Sequence, residues 1–337
     1  MDQRVGTSRV YAVPNGAKYM YISSAGVTQN GIVVFSGSDD IATDPVSVAN
    51  YPYGESVYFA DNLKLTNGMK LSDLSSSGRV YHVEKDGSGD FTKLVDAIQE
   101  ATQYMNAVVY VGAGTWDIVG ELGSAYMAAV SSSSNTWGLV LKNGIHVIGT
   151  SKTLITAKYN SQSPNAANVK KYFSAFNAGQ KGFTLENLTI ETDYTRYTVH
   201  DDLGSGGATP FHNKYINCVM KHTNGEYTLC IGGGLGVNGT YEIEGCTFEG
   251  DSGATGLAYY HGNNASGETT AQCKIIVKDC YFKGSGTFGM TKYGDSPLMS
   301  TAYVSNNSFG SEPYVNSGSY APYNNVEIVG WNNVVRT

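Results

Sequence analysis

Charge is scarce in this chain. Asp, Glu, Lys and Arg make up 15% of its 337 residues, against about 25% in an average globular protein. Acidic side chains outnumber basic ones, 29 to 22, for a formal charge of −7, and no basic run occurs. Phosphate backbones are held by clustered Lys and Arg, so no nucleic-acid partner is expected. Long hydrophobic runs are missing too, and without a stretch of about 18 apolar residues no membrane span is expected. The opening residues Met1-Asp2-Gln3-Arg4-Val5 carry no apolar signal segment. The five cysteines, Cys218, Cys230, Cys246, Cys273 and Cys280, are odd in number and lack CxxC spacing. That pattern argues against both a disulfide framework and a zinc site, and leaves reduced, packed thiols as the expectation. The glycine run in Ile231-Gly232-Gly233-Gly234-Leu235-Gly236 has neither the helix nor the lysine of a phosphate loop. It reads as a tight corner. No cofactor and no metal are expected; Asp201 and Asp202 have no calcium-ligand spacing around them.

What is abundant is glycine (41 residues) and tyrosine (25), on a chain that is 41% apolar. That is enough to build a core. The length exceeds one ordinary compact core, but elongated β architectures reach it as single domains.

Residues 1–79 read as a small β module or an attachment arm. Pro14-Asn15-Gly16 is a turn signal, and Ala17–Ser23 and Gly31–Phe35 have strand composition. Leu74-Ser75-Ser76-Ser77-Gly78 reads as a linker. One helix is expected at about 90–105, with Asp90 as N-cap and Leu94, Ile98, Ala101 and Met105 on one apolar face. It would cap the open end of a sheet stack, where bare strand edges invite aggregation.

A degenerate repeat follows. Its members are Glu186-Asn187-Leu188-Thr189-Ile190, Ile216-Asn217-Cys218-Val219-Met220, Glu244-Gly245-Cys246-Thr247-Phe248, Lys278-Asp279-Cys280-Tyr281-Phe282 and Ser305-Asn306-Asn307-Ser308-Phe309. Their central residues are 30, 28, 34 and 27 positions apart. Nearly constant spacing with drifting length fits a solenoid whose turns carry variable loops. Cys218, Cys246 and Cys280 would then form an inward ladder.

Val83-Glu84-Lys85-Asp86-Gly87-Ser88-Gly89-Asp90-Phe91-Thr92 resembles the opening motif of the pectinesterase-like proteins. The resemblance continues through Val109-Tyr110-Val111, Gly114-Thr115-Trp116, Thr153–Ala157, Phe173–Phe176 and Gly182–Ile190, in the family's order. It implies an all-β fold: a right-handed, single-stranded parallel β-helix over residues 80–337, shared by pectinesterases and pectate lyases. The family's Gly-Arg-Pro-Trp motif is absent. Glu226 stands where the first catalytic aspartate of that family would fall. The stretch matching the second, Leu257-Ala258-Tyr259-Tyr260-His261-Gly262, holds no carboxylate; the nearest upstream is Asp251. The pectin methylesterase mechanism is therefore not the one expected here.

A second constellation stands in Thr195-Arg196-Tyr197-Thr198-Val199-His200-Asp201-Asp202. It resembles an Arg-Tyr-x-x-His-x-Asp element of β-helix proteins in phage tails and prophages. His200 and Asp202 are two apart, so a strand points both to one face, where a carboxylate can orient an imidazole for proton transfer. The repeat places His261 two turns on, over the same surface. Arg196 can hold an acidic sugar or an oxyanion. The catalytic candidates are thus Arg196, His200, Asp202, Glu226 and His261. Tyr197, Asp201, Tyr259, Tyr260, Asn263 and Lys292 are the substrate-binding candidates, because tyrosine rings stack on sugar faces and amides bond hydroxyls. The structural alternatives are turn caps for His200 and Asp202, an Arg196–Asp193 ion pair, and ordinary strand tyrosines. Lys292 alternatively reads as a solvated lysine, and His82, His146, His212 and His222 as structural or surface residues.

Two readings follow. In the first, the chain is a phage or prophage tail-spike-like protein of the virion tail, released by lysis. It binds a bacterial surface polysaccharide and depolymerises or deacylates it. The resemblance implies a homotrimer. In the second it is a non-catalytic glycan-binding or structural module. A secreted carbohydrate esterase is a third possibility.

Overall fold

The computed structural model describes residues 79–180, 182–202, 211–232, 239–250, 258–261, 273–283, 288–291, 300–316 and 326–336, with five short strands near the N-terminus. The chain divides into two compact units, Met1–Gly78 and Arg79–Thr337. In the first, Asp2–Val5, Ser8–Ala12 and Tyr19–Ile22 form an antiparallel sheet, and Thr28–Gln29 pairs with Ile32–Val33. The linker expected at 74–78 lies outside the described residues.

The second unit is a parallel β-helix built from three sheets of nine, eight and seven strands, each stacked in strict chain order. The chain visits sheet 1, then sheet 2, then sheet 3, and climbs one strand spacing, about 4.8 Å, per circuit. Parallel crossovers of this kind take the right hand. The register follows the repeat read from sequence: Thr189 pairs with Val219, Val219 with Thr247, Thr247 with Tyr281 and Tyr281 with Ser308. Variation in coil length is confined to the loops between strands.

The repeat has a local cause at the corner between sheets 1 and 2. Asn187, Asn217, Asp279, Asn306 and Asn332 all have φ between 52° and 57°, and Gly245 takes the same place at 64°. Only Gly, Asn and Asp enter this left-handed region readily. The turn sends the following residue inward. Leu188, Cys218, Cys246, Cys280 and Asn307 are accordingly buried in one ladder. Each thiol faces backbone carbonyls of its own or the preceding coil, as Cys246 Sγ does at Tyr215 O, 3.3 Å away. Burial holds the Cys246 thiol well above its ordinary pKa of 9.0. Asn307 takes over the role further along, its Oδ1 accepting from Cys280 N at 2.8 Å. In the next inward row Phe248, Phe282 and Phe309 stack with centroids 4.9 and 4.7 Å apart.

The capping helix is shorter than expected. It runs Leu94–Ala101, buries Leu94, Ala97, Ile98 and Ala101, and packs on the first strands of sheets 1 and 3. Asp90 is not its cap: that carboxylate accepts from His82 N at 2.7 Å. The first turn is satisfied instead by Glu121 Oε2, which accepts from Val95 N at 2.9 Å. Met105 lies beyond the helix and is exposed. Among the described residues no helix is long and apolar enough to cross a membrane.

Phe248→Ala removes the end ring of a dry stack and is expected to lower the unfolding free energy by about 3–5 kcal/mol, measured by urea denaturation. Glu191 links neighbouring coils through Lys158 (2.9 Å) and Lys221 (3.3 Å). The bond from Lys158 does most to hold its carboxyl below the ordinary 4.5. A depressed folded pKa gives stability that is present above the unfolded value and lost as pH falls through the folded one. Glu191→Gln should therefore flatten the fall of the urea midpoint below about pH 4.5.

Candidate functional site

The strand Tyr197–Asp202 belongs to sheet 3, between Phe173–Gln180 and Tyr227–Gly232. Arg196 and Glu226 occupy the same place in successive coils, just before their strands. Arg196 N donates to Phe173 O at 2.7 Å, and Glu226 N to Arg196 O at 2.9 Å. The turn that delivers Glu226 depends on Gly225, where a Cβ would stand 2.3 Å from Thr195 O.

This stacking brings three side chains together. Arg196 Nε lies 3.3 Å from Glu226 Oε2, and the Tyr197 hydroxyl donates to the same oxygen at 2.7 Å. The guanidinium sits 4.6 Å from the Tyr197 ring centroid. Its Nη1 donates to Asn135 Oδ1 at 2.6 Å. Tyr197 in turn meets the His200 imidazole at 5.0 Å and stacks on Tyr227 at 6.0 Å. Tyr197 and His200 are buried, while the Glu226 side chain is 46% exposed. Burial above all lifts the Tyr197 hydroxyl far above its ordinary pKa of 10.0, which favours its protonated, donating form. The result is a fixed cation, a shared acceptor and an aromatic wall, open at the carboxylate.

The other candidates fall in three groups. Asp202 and His261 both face Gly232 in the strand register, and Tyr259 and Tyr260 face Cys230 and Ile231. Asp202 and His261 are thus two coils apart, about 9.6 Å along the solenoid. Their side chains, with those of Tyr259 and Tyr260, lie outside the described residues, as do Asn263 and Lys292 altogether.

Asp201 needs a correction. Strand alternation turns it into the solenoid, where it is wholly buried. It accepts from Asn213 Nδ2 at 2.9 and 3.0 Å and from the Tyr215 hydroxyl at 2.7 Å. A carboxylate so enclosed organises the core and does not face substrate. The Arg196–Asp193 pair, the structural alternative for Arg196, does not form: Asp193 accepts from Thr223 and Asn224, each at 2.8 Å, and Arg196 turns to Glu226.

The remaining histidines do have partners. His146 meets Glu186 at 2.8 Å, His212 meets Glu242 at 2.7 Å, and His222 meets Thr192 Oγ1 at 2.6 Å. His82 stacks on Tyr110. Among the described residues no cluster of three His, Cys, Asp or Glu side chains is placed to hold a metal ion.

Burial and the Asp201 carboxylate hold Tyr215 well above 10.0, as burial does Tyr197. In an alkaline titration followed by phenolate absorbance, both should ionise only in the step that coincides with unfolding. Tyr197→Phe and Tyr215→Phe should each remove about one phenol from that late step and none from the early ones.

No family model matches the chain, and no curated protein matches it. Two solved structures of the pectin methylesterase from Aspergillus niger do, one deglycosylated and one with an N-acetylglucosamine stub at an asparagine. Each is 13% identical, with a TM-score of 0.35, over 77% of this chain and 86% of theirs.

Proposed function

We propose that this protein binds a bacterial surface polysaccharide, as the β-helix of a phage or prophage tail spike does, and grips it at the corner leading into sheet 3. The observation that carries this reading is the convergence of Arg196, Tyr197 and Glu226. A guanidinium and a carboxylate offer donors and an acceptor to hydroxyl or acidic groups of a sugar. The thiols Cys218, Cys246 and Cys280 are free and buried, which suits synthesis in a reducing compartment before release by lysis. On this reading the working form is a homotrimer.

Depolymerisation or deacylation is the second reading. It is favoured by the contact of His200 with Tyr197 and by the exposure of Glu226. Binding has the better support, because Arg196 and Tyr197 both engage Glu226 Oε2, which steadies the carboxylate as an acceptor and leaves Oε1 to meet a ligand.

The test is equilibrium binding to a panel of bacterial capsular and O-antigen polysaccharides, with chain length and released acyl groups read in parallel. Arg196→Ala should weaken binding of the cognate polymer at least about tenfold, or roughly 1.4 kcal/mol. If the polymer is shortened or deacylated, Glu226→Gln should abolish that turnover and leave binding in place. Binding unchanged in Arg196→Ala, or no binding by the wild type, contradicts the proposal.

A further inference from the structure

A second feature shares the turns that carry Arg196 and Glu226. At the corner between sheets 2 and 3, three strands end in register at Lys158, Asp193 and Thr223. The next strands begin at Phe173, Tyr197 and Tyr227. The first coil therefore makes a long excursion that includes the helix Ala166–Tyr172, whereas the next two turn within three residues. A long wall beside two short turns leaves a groove of about 460 Å³, lined by Lys158, Tyr159, Asn160, Asp193, Tyr194 and Asn224 among others.

The groove is built and held. The Tyr159 hydroxyl donates to Pro164 O at 2.6 Å, and Tyr159 N to Asp193 O at 3.0 Å. Asp193 Oδ1 is fixed by Thr223 and Asn224. Lys170 Nζ stands 5.0 Å from the Tyr194 ring centroid.

Tyr194 also breaks the fold's own rule. Its φ is 56°, and every other non-glycine residue with positive φ among those described is Asn or Asp. Asn224 takes the equivalent place one coil on, at 55°. A bulky side chain in this region is strained, and strain of this kind collects where function requires the side chain. Here the strained residue supplies one of the two aromatic surfaces of a cavity.

Flat phenol rings with amide and carboxylate groups between them match a pyranose, which has an apolar face and a rim of hydroxyls. Two cations stand at the groove, Lys158, already paired with Glu191, and Lys170 beside the Tyr194 ring, against the two anions Glu191 and Asp193. That balance fits an uncharged sugar. Tyr194 is two residues from Arg196, and Asn224 two from Glu226, a separation of at most about 7 Å along each turn. We infer that the groove between Tyr159 and Tyr194 is a subsite for a neutral pyranose unit, continuous with the Arg196–Glu226 cluster along one glycan chain. This deepens the polysaccharide-binding reading and rests on it for the class of ligand.

The experiment uses saturation-transfer NMR on the full chain. The probes are neutral hexose and N-acetylhexosamine disaccharides (cellobiose, lactose, maltose, chitobiose), with digalacturonate as the anionic control. Tyr194→Asn restores the residue the corner favours, so its urea midpoint should shift upward. Its affinity for the neutral disaccharide bound by the wild type should fall at least about tenfold. Arg196→Ala should keep disaccharide binding while losing the polymer. Equal disaccharide binding by wild type and Tyr194→Asn overturns the subsite, and so does a preference for digalacturonate. No disaccharide bound by a wild type that still binds polymer overturns the subsite alone. Failure with both disaccharides and polymer overturns the parent reading as well.

Discussion

Every coil of this chain must hand its backbone N–H and C=O groups to the coil before it and the coil after it. That parallel pairing is the constraint on which the rest depends. A register slip of one residue would turn a whole strand inside out, so inward and outward positions are set along the described strands of the three sheets. The corner residues Asn187, Asn217, Gly245, Asp279, Asn306 and Asn332 enforce the lock, since each sets a left-handed turn at the same height of its coil. Site residues are then brought together by stacking: Arg196 and Glu226 are 30 positions apart in sequence yet joined by one backbone hydrogen bond.

Loops are free where strands are not. The drift in repeat length is absorbed between strands, and the same freedom shapes the surface. One long excursion at residues 159–172 beside turns of three residues produces a groove while the strands before it stay in register at Lys158, Asp193 and Thr223. Position on the solenoid thus decides role. An acidic residue on the outside, Glu226, can meet a ligand, while Asp201, a few positions along sheet 3 and facing inward, is consumed by Asn213 and Tyr215.

Much of this was legible in the sequence, for physical reasons. The Asn/Gly/Asp step followed by Leu, Cys or Asn is visible because few residues tolerate the left-handed corner and only compact side chains fit the inward ladder. The grouping of Arg196, Tyr197 and His200 was visible because they are close in the chain. Asn135 was not, because it reaches Arg196 from 61 positions away across a coil. Glu121 was hidden as a helix cap for the same reason, while Asp90, which has the right identity and place for one, is engaged by His82. The inward turn of Asp201 was within reach of the alternation rule, since His200 and Asp202 on one face require Asp201 on the other. Tyr194 could not be singled out, because a strained φ leaves no trace in a single sequence.

The most direct test of the central claim, that the corner leading into sheet 3 is the glycan-binding surface, is hydrogen–deuterium exchange with and without the cognate polysaccharide. Slowed exchange should concentrate in the turns at 194–196 and 224–226 and in the strands that follow them. Protection confined to the outer face of sheet 1, with those turns unchanged, would contradict it.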